Sequence, residues 1–377
     1  MGLLRKTLFS VISVSLGFLL AFGLAEMAVR VICPQETGPP RFAFDPELGD
    51  IPVPLQKGRQ RHPGDYDFIY SNNSRGFRGS QEFGPKQPGR VRLLLLGDSF
   101  TYGVGVDDDQ TFAAELEREL GERRLPVEVI NAGNSGKGTD YELKLFQTVG
   151  AGLKPEVTVL CFFSNDFQDN ARAEYYDVEA GGGLRVKPLD GNRGGIKTFL
   201  FHLPGYNWLI SWSQAANLVK QAAVNYLVQT GKNRRGQVGA ASGLVVSYET
   251  GYDGRGFSNE ANRKLTAIYL DHLREAVKQA GSELLVVYIP LASEVETYRQ
   301  KQEISRDEQA IKEIIEARGG ALKSLTPLLA SAPVPIRELY YAEGHWTPRA
   351  HLQVGRYLGD YIASQLQAKR LPRSGRP

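Results

Sequence analysis

Four short segments of the chain hold residue types that chemistry can use. Gly97, Asp98, Ser99 and Phe100 stand directly after the apolar run Val91 to Leu96. A serine hydroxyl is a weak nucleophile and must be fixed on an exposed turn where a base can take its proton; the end of a buried strand offers such a place. Gly-Asp-Ser is also an ordinary turn sequence. Asn131 to Gly138 follows a second apolar run. Its glycines let backbone amides come close to a ligand, as an oxyanion site requires, and equally suit a plain glycine-rich loop. Ser164, Asn165 and Asp166 follow a third run, where the Asn165 amide offers a donor to developing negative charge and Asn-Asp doubles as a turn signal.

The fourth segment is Glu343, Gly344, His345, Trp346, Thr347 and Pro348. Thr347 and Pro348 read as the cap and first residue of a helix, so His345 sits on a loop at a helix entrance. Gly344 permits a tight turn through which the Glu343 carboxylate reaches the imidazole nitrogen facing away from a serine, and a solvated loop carboxylate is the competing reading of Glu343. No other histidine has this setting: His62 lies in a loop, His202 among Gly-rich stretches, His272 on an amphipathic helix, and His351 one turn into the final helix as a packing or capping residue.

Strands and helices must hold these segments in place. Val91 to Leu96 is a continuous apolar run, which suits a parallel strand covered on both faces, and Val127 to Ile130, Pro155 to Phe163 and Leu284 to Ile289 read as a second, third and fourth strand. Helical spacing fills Thr111 to Leu120, Asp140 to Leu153, Ala261 to Ala280, Asp307 to Ala317 and Thr347 to about Leu366. Strand and helix alternate, which predicts an α/β domain with a central parallel sheet and right-handed crossovers. Between about 170 and 257 the alternation breaks, with a helical part expected over Leu200 to Gln229; we expect an insertion at the carboxyl edge of the third strand, forming a lid, a cleft wall or a plain excursion.

Taken together and in this order, the four segments resemble the SGNH (GDSL-like) hydrolase superfamily over most of residues 88–368. The resemblance implies a flavodoxin-like three-layer fold. It also implies that Ser99 is the nucleophile and His345 the general base and acid, with the Ser99 amide, the Gly136 amide and the Asn165 side chain as the oxyanion hole. Leu93 to Gly105 and His345 to Pro348 look like membrane-anchored bacterial members, among them relatives of polysaccharide O-acetyltransferases that place an Asp two residues before the catalytic His. Here that position is Glu343, so the implied machinery is a Ser-His-Glu triad or a Ser-His dyad.

Composition narrows the rest. Lys and Arg number 45 against 42 Asp and Glu, a balance that gives no basic stripe for nucleic acid. Cys33 and Cys161 make neither a disulfide framework nor a metal site, and no cofactor is expected. Gly103-Val104-Gly105 lacks the third glycine of a dinucleotide loop, and Asp107, Asp108 and Asp109 read as solvated or capping residues. Arg5 and Lys6 precede the uncharged stretch Thr7 to Ala25, which nearly spans a hydrocarbon core of about 30 Å. Residues 1–33 are therefore expected to be an uncleaved anchor, with a cleaved signal segment as the alternative, and either exports the remainder of the chain. Residues 34–87 read as a linker lying on the domain and 369–377 as a solvated tail. The expected function is an exported esterase acting on an acylated cell-envelope carbohydrate. The alternatives are an O-acetyltransferase using the same residues and a catalytically silent glycan-binding protein, and Tyr66, Phe68, Tyr70 and Trp208 either stack on sugars or pack inside.

Overall fold

The structure, a computed structural model, describes residues 2–189, 203–231 and 257–368. In chain order its elements are α1 (Gly2–Ile32), β1 (Phe42–Asp45), β2 (Gly49–Pro52), β3 (Lys57–His62), β4 (Tyr66–Ser71), β5 (Val91–Gly97), α2 (Ser99–Tyr102), α3 (Phe112–Glu122), β6 (Val127–Asn131), α4 (Thr139–Leu145), β7 (Val157–Phe163) and α5 (Asp166–Asn170). After these come β8 (Tyr176–Val178), β9 (Leu184–Val186), α6 (Tyr206–Trp212), α7 (Gln214–Gly231), α8 (Glu260–Gln279), β10 (Glu283–Ile289), α9 (Ala292–Lys301), α10 (Arg306–Glu316), β11 (Leu322–Ser324), α11 (Thr326–Ser331) and α12 (Pro348–Gln367). The chain forms two compact units. One takes in residues 1–39, 59–67 and 192–235, and with them α1, α6 and α7; the other takes in 40–58, 68–191 and 236–377, and with them the large sheet.

That sheet is parallel throughout, in the order β11-β10-β7-β5-β6. The chain runs from β5 out to β6 and then returns past β5 to β7, so the direction of winding reverses between β5 and β7. In open α/β sheets the carboxyl ends of strands at such a reversal flank the ligand crevice, and this is the flavodoxin-like order. Every residue of β5, β6 and β7 is buried. Alternate side chains feed opposite faces: Leu93 and Leu95 pack with Phe112, Leu116, Val354 and Leu358 of α3 and α12, while Leu94 and Leu96 pack with Tyr141, Leu143, Tyr269 and Ile311 of α4, α8 and α10. The result is the expected three-layer α/β sandwich.

Some elements differ from expectation. The helix expected over Asp140 to Leu153 leaves α-geometry after Leu145, passing through a wider turn at Phe146–Gly150 and a tight one at Ala151–Leu153. The helical stretch expected over Leu200 to Gln229 is two helices, broken where Ser213 turns extended and its Oγ accepts the Ala216 amide at 3.1 Å; residues 200–202 lie outside the described part. The remainder of the insertion at 190–202 and 232–256, including His202, and the tail at 369–377 also lie outside it. Strand β11 and helix α9 were not expected. The first is only three residues long, and the second buries only Glu294 and Val295, too few for a pattern. The segment 34–87 carries two two-stranded ribbons, the antiparallel β1–β2 and β3–β4. Cys33 and Cys161 are free thiols.

At the amino end of the sheet, the buried Arg92 is fully engaged. Its Nε donates to Glu128 at 2.5 Å, its Nη1 to the Leu153 carbonyl at 2.7 Å, and its Nη2 to the Gly84 carbonyl at 3.1 Å, while its amide donates to Glu156 at 2.7 Å. Removing one partner of a buried ion pair strands the other. Arg92→Ala should therefore lower the unfolding free energy by about 3 to 5 kcal/mol in urea titration, and an Arg92→Met/Glu128→Met pair should recover much of that loss.

Candidate active site

Ser99 opens α2, two residues past the end of β5. Asp98 caps this single turn: its carboxylate accepts the Phe100 amide at 2.9 Å and its carbonyl accepts the Tyr102 amide at 2.9 Å. The hydroxyl of Ser99 lies 2.8 Å from His345 Nε2, and His345 Nδ1 lies 2.8 and 2.7 Å from the two carboxylate oxygens of Glu343. Ser99, His345 and Glu343 are thus brought into one hydrogen-bonded line.

The histidine loop is held from several sides. Tyr341 and His345 close it through an amide-to-carbonyl bond of 2.8 Å, Gly344 takes a left-handed φ of 111°, and Thr347 bonds back to Leu339 and Glu338. Beneath the imidazole lies the Phe100 ring at 5.0 Å, itself packed edge-on against the fully buried Trp346 at 5.1 Å and against Phe163 at 4.6 Å. This aromatic shelf was not singled out in the sequence, although Phe100 and Trp346 each adjoin a residue that was. His351 lies in the core, stacked on Phe112, with Nδ1 accepting the Phe112 amide at 3.1 Å at the start of α3. Burial pushes its imidazole down to about 3, so it is a neutral capping group.

The two remaining segments follow the neighbouring strands β6 and β7. Asn131 donates to the Thr101 carbonyl at 2.7 Å, and the Asn134 amide donates to the Gly97 carbonyl at 2.9 Å, which binds this loop to the serine turn. The approach at Gly133 is so close that a Cβ there would fall 2.2 Å from the Tyr102 amide nitrogen, so only glycine fits. Gly136 has a φ of 71°, and its carbonyl accepts Arg172 Nη1 at 3.1 Å. Asn165 stands just before α5 without a side-chain capping bond; its Oδ1 is buried and has no hydrogen-bond partner among the described residues.

The 34–87 segment also reaches this region. Arg78, buried, donates to the Tyr102, Gly103 and Val106 carbonyls at 3.2, 3.0 and 2.7 Å and pairs with Asp108 at 2.6 Å. Asp107 accepts the Ile69 amide at 2.6 Å and Asp108 the Ser71 amide at 3.1 Å. Asp107 and Asp108 thus serve as acceptors for the strand β4. Among the described residues no group of His, Cys, Asp and Glu is placed to hold a metal ion. Tyr66, Phe68 and Tyr70 are buried, in keeping with the packing alternative for these rings, and of that set Trp208 is exposed.

Under the site lies a group of buried acids that sequence reasoning did not assemble: Asp98, Asp140, Glu142, Asp166 and Asp169. Neither carboxyl oxygen of Glu142 has a hydrogen-bond partner among the described residues. Burial pushes the Asp98 carboxyl up to about 6, opposed by the Phe100 amide and His345 and reinforced by Asp169. Burial, with Glu174 nearby, pushes Asp140 up to about 7. Burial drives Glu142 up, with Asp98, Asp140 and Asp169 adding to it, and burial drives Asp166 up, with Glu142, Asp98 and Asp169 adding to it.

Residues 95–352 match the sequence profile of the GDSL-like lipase/acylhydrolase family. Among solved structures, a two-domain esterase (CEX) active on acetylated mannans, co-crystallised with mannopentaose, is 10% identical with a TM-score of 0.41. That similarity covers 76% of this chain and 52% of the esterase, so the chain spans about half of that enzyme's length. The lipase/acylhydrolase from Enterococcus faecalis is 14% identical with a TM-score of 0.37, and the Clostridium thermocellum family 3 carbohydrate esterase 12% with 0.36; each covers 76% of this chain and 100% of its own. No curated protein sequence matches the chain.

The buried acids give stability a definite pH dependence. An exposed carboxyl releases its proton near about pH 4, whereas the folded protein keeps those of Asp98 and Asp140 to about 6 and 7. The folded state therefore binds more protons than the unfolded state between these limits, so stability is greatest on the acid side and falls as pH rises through the window. Urea unfolding between pH 4 and 9 should show this slope, and Asp140→Asn should flatten it.

Proposed function

We propose, for a chain that belongs to the GDSL-like lipase/acylhydrolase family and is a serine ester-hydrolysing enzyme, that Ser99, His345 and Glu343 are its catalytic triad. The substrate we assign is an acylated carbohydrate of the cell envelope. The observation that carries the triad is the 2.8 Å hydrogen bond between Ser99 Oγ and His345 Nε2, with Glu343 on the far nitrogen. In this reading His345 Nε2 takes the hydroxyl proton as Ser99 Oγ bonds to the ester carbonyl carbon. The tetrahedral oxyanion is met by the Ser99 and Gly136 amides and the Asn165 side chain. Cleavage of the carbon–oxygen bond releases the alcohol, which recovers the proton from imidazolium. Water, deprotonated by the same nitrogen, then attacks the acyl-enzyme, releasing the acid and restoring the serine.

Glu343 supports the step by accepting from Nδ1, which fixes the tautomer with Nε2 unprotonated and stabilises the imidazolium that forms. Support for the envelope substrate is positional. Helix α1 holds a long apolar span beginning at Arg5, compatible with an anchor or a signal segment, and positive residues before such a span favour export of the residues beyond it. We read α1 as a retained anchor.

Hydrolysis of p-nitrophenyl acetate checks the assignment. Ser99→Ala and His345→Ala should each lower kcat on the order of 10⁴- to 10⁶-fold. Asn165→Ala should lower it on the order of 10²- to 10³-fold. Glu343→Gln should cost less than loss of the serine, with Glu343→Asp recovering part of it. A Ser99→Ala variant that keeps its turnover and its fluorophosphonate labelling sinks the triad. Acetyl transfer to an added glycan without release of free acetate would replace the hydrolase reading by the transferase one.

A further inference from the structure

The unit formed by α1, α6 and α7 contains a charge placed unusually for the end of an apolar span. Glu26 is buried, and its carboxylate accepts the Gln214 and Ala215 amides at 3.0 Å each, the Ser213 hydroxyl at 2.8 Å and Arg30 Nε at 2.7 Å. It therefore caps α7 from outside, where the amides of a helix start lack partners and the helix dipole favours an anion. Arg30 Nη2 also donates to the Trp212 carbonyl at 3.0 Å. These bonds fix α6 and the start of α7 against one level of α1.

That level can be stated. The uncharged stretch Thr7 to Ala25 rises about 28 Å as a helix, so Glu26 marks its outer end. Phe22 lies one turn inside that end, and the Trp212 ring meets it edge-on at 6.4 Å. Trp208 lies 5.2 Å from Trp212. Both indoles thus lie level with the outer end of that stretch, and in a bilayer the corresponding depth favours tryptophan because its ring is apolar and its N–H polar. Trp208 is 67% exposed, and Leu203 before it is exposed as well, while Ile210 turns inward and is buried. The exposed Trp208 ring, with Trp212 half-buried behind it, adds to the exposed apolar surface of α1, which includes Phe18, Leu19, Leu20 and Leu24.

We propose that α6 is a second membrane contact: with Trp208 and Trp212 it seats in the outer interfacial zone of the bilayer that α1 spans. The occupant of this face is lipid, and the inference rests on the reading of α1 as a retained anchor. Glu26 is the positioning residue that sets the depth of α6 by holding it to α1.

The full-length protein in phosphatidylcholine vesicles with brominated acyl chains tests this, because bromine quenches indole on contact. The chain has three tryptophans, and Trp346 is fully buried in the sheet unit, so it supplies an unquenched background. Bromines near the headgroup end should quench the emission of Trp208 and Trp212, and bromines near the bilayer centre should quench it less. Trp208→Phe should reduce the quenched amplitude, and Trp208→Phe/Trp212→Phe should abolish it while p-nitrophenyl acetate turnover stays unchanged. Protein that survives an alkaline carbonate wash of the membranes but shows no lipid quenching, with Trp208 open to aqueous iodide, overturns the second contact and leaves the anchor standing. Protein removed by the wash overturns both. Energy transfer between labelled copies that disappears in Trp208→Phe, without lipid quenching, overturns the proposal in favour of a second copy of the chain.

Discussion

The hydrogen bond between Ser99 and His345 joins side chains 246 residues apart, and the fold can be understood as the scaffold that holds those two atoms 2.8 Å from each other. Neither residue lies on a long element of its own. Ser99 is on a four-residue turn of helix and His345 on a loop, so both borrow rigidity from the elements they adjoin. For Ser99 the support is β5, buried on both faces and flanked by β6 and β7. For His345 it is α12, packed on α3, with Trp346 driven into the same core as Phe112 and Val354. Phe100 touches both sides, one ring against the imidazole and the indole. A core packed at crystal-like density transmits this positioning without slack.

The buried acids below the serine bear on the same constraint. A carboxyl taken out of water and left without a donor costs free energy, and Glu142 has both oxygens in that state among the described residues. Burial raises its pKa and that of Asp166 so that protonated forms are favoured, which replaces charge repulsion between neighbours by neutral groups. Asp98 differs, because the Phe100 amide and His345 both favour its charged form. The acid that caps the serine turn thus has part of its burial penalty offset, whereas that of Glu142 is not.

The parallel sheet and most of its crossover helices were legible because long apolar runs and 3.6-residue periodicity report burial directly. Ser99 and His345 were legible because each stands at a strand end or helix start with glycine beside it. The features that escaped had no local signal. Arg78 lies in a segment that reads as a linker, yet it binds three carbonyls of the loop after the serine. The acids Asp140, Glu142, Asp166 and Asp169 belong to two helix starts that only the sheet order makes neighbours. Strand β11 is too short for a pattern, and the division of Leu200 to Gln229 into two helices depends on Ser213 meeting Glu26 from a distant part of the chain.

The glutamate at 343 illustrates how geometry absorbs a change that sequence alone leaves open. A glutamate carries one methylene more than an aspartate, so its carboxylate must fold back to meet an imidazole only two residues away. Here the loop turns back at Gly344, whose φ of 111° is closed to most side chains, and the carboxylate folds over its own turn. One oxygen accepts the His345 amide at 3.2 Å while both lie within 2.8 Å of Nδ1. The backbone bond fixes the longer side chain in the rotamer that meets the ring, so the carboxylate loses less freedom on pairing than a solvated glutamate would. The Glu343 and His345 side chains stay 20% and 21% exposed, so the pair is partly screened by water. In the proposed triad its contribution would therefore be chiefly orientation of the imidazole and choice of tautomer, with a smaller electrostatic share than a fully buried aspartate would supply.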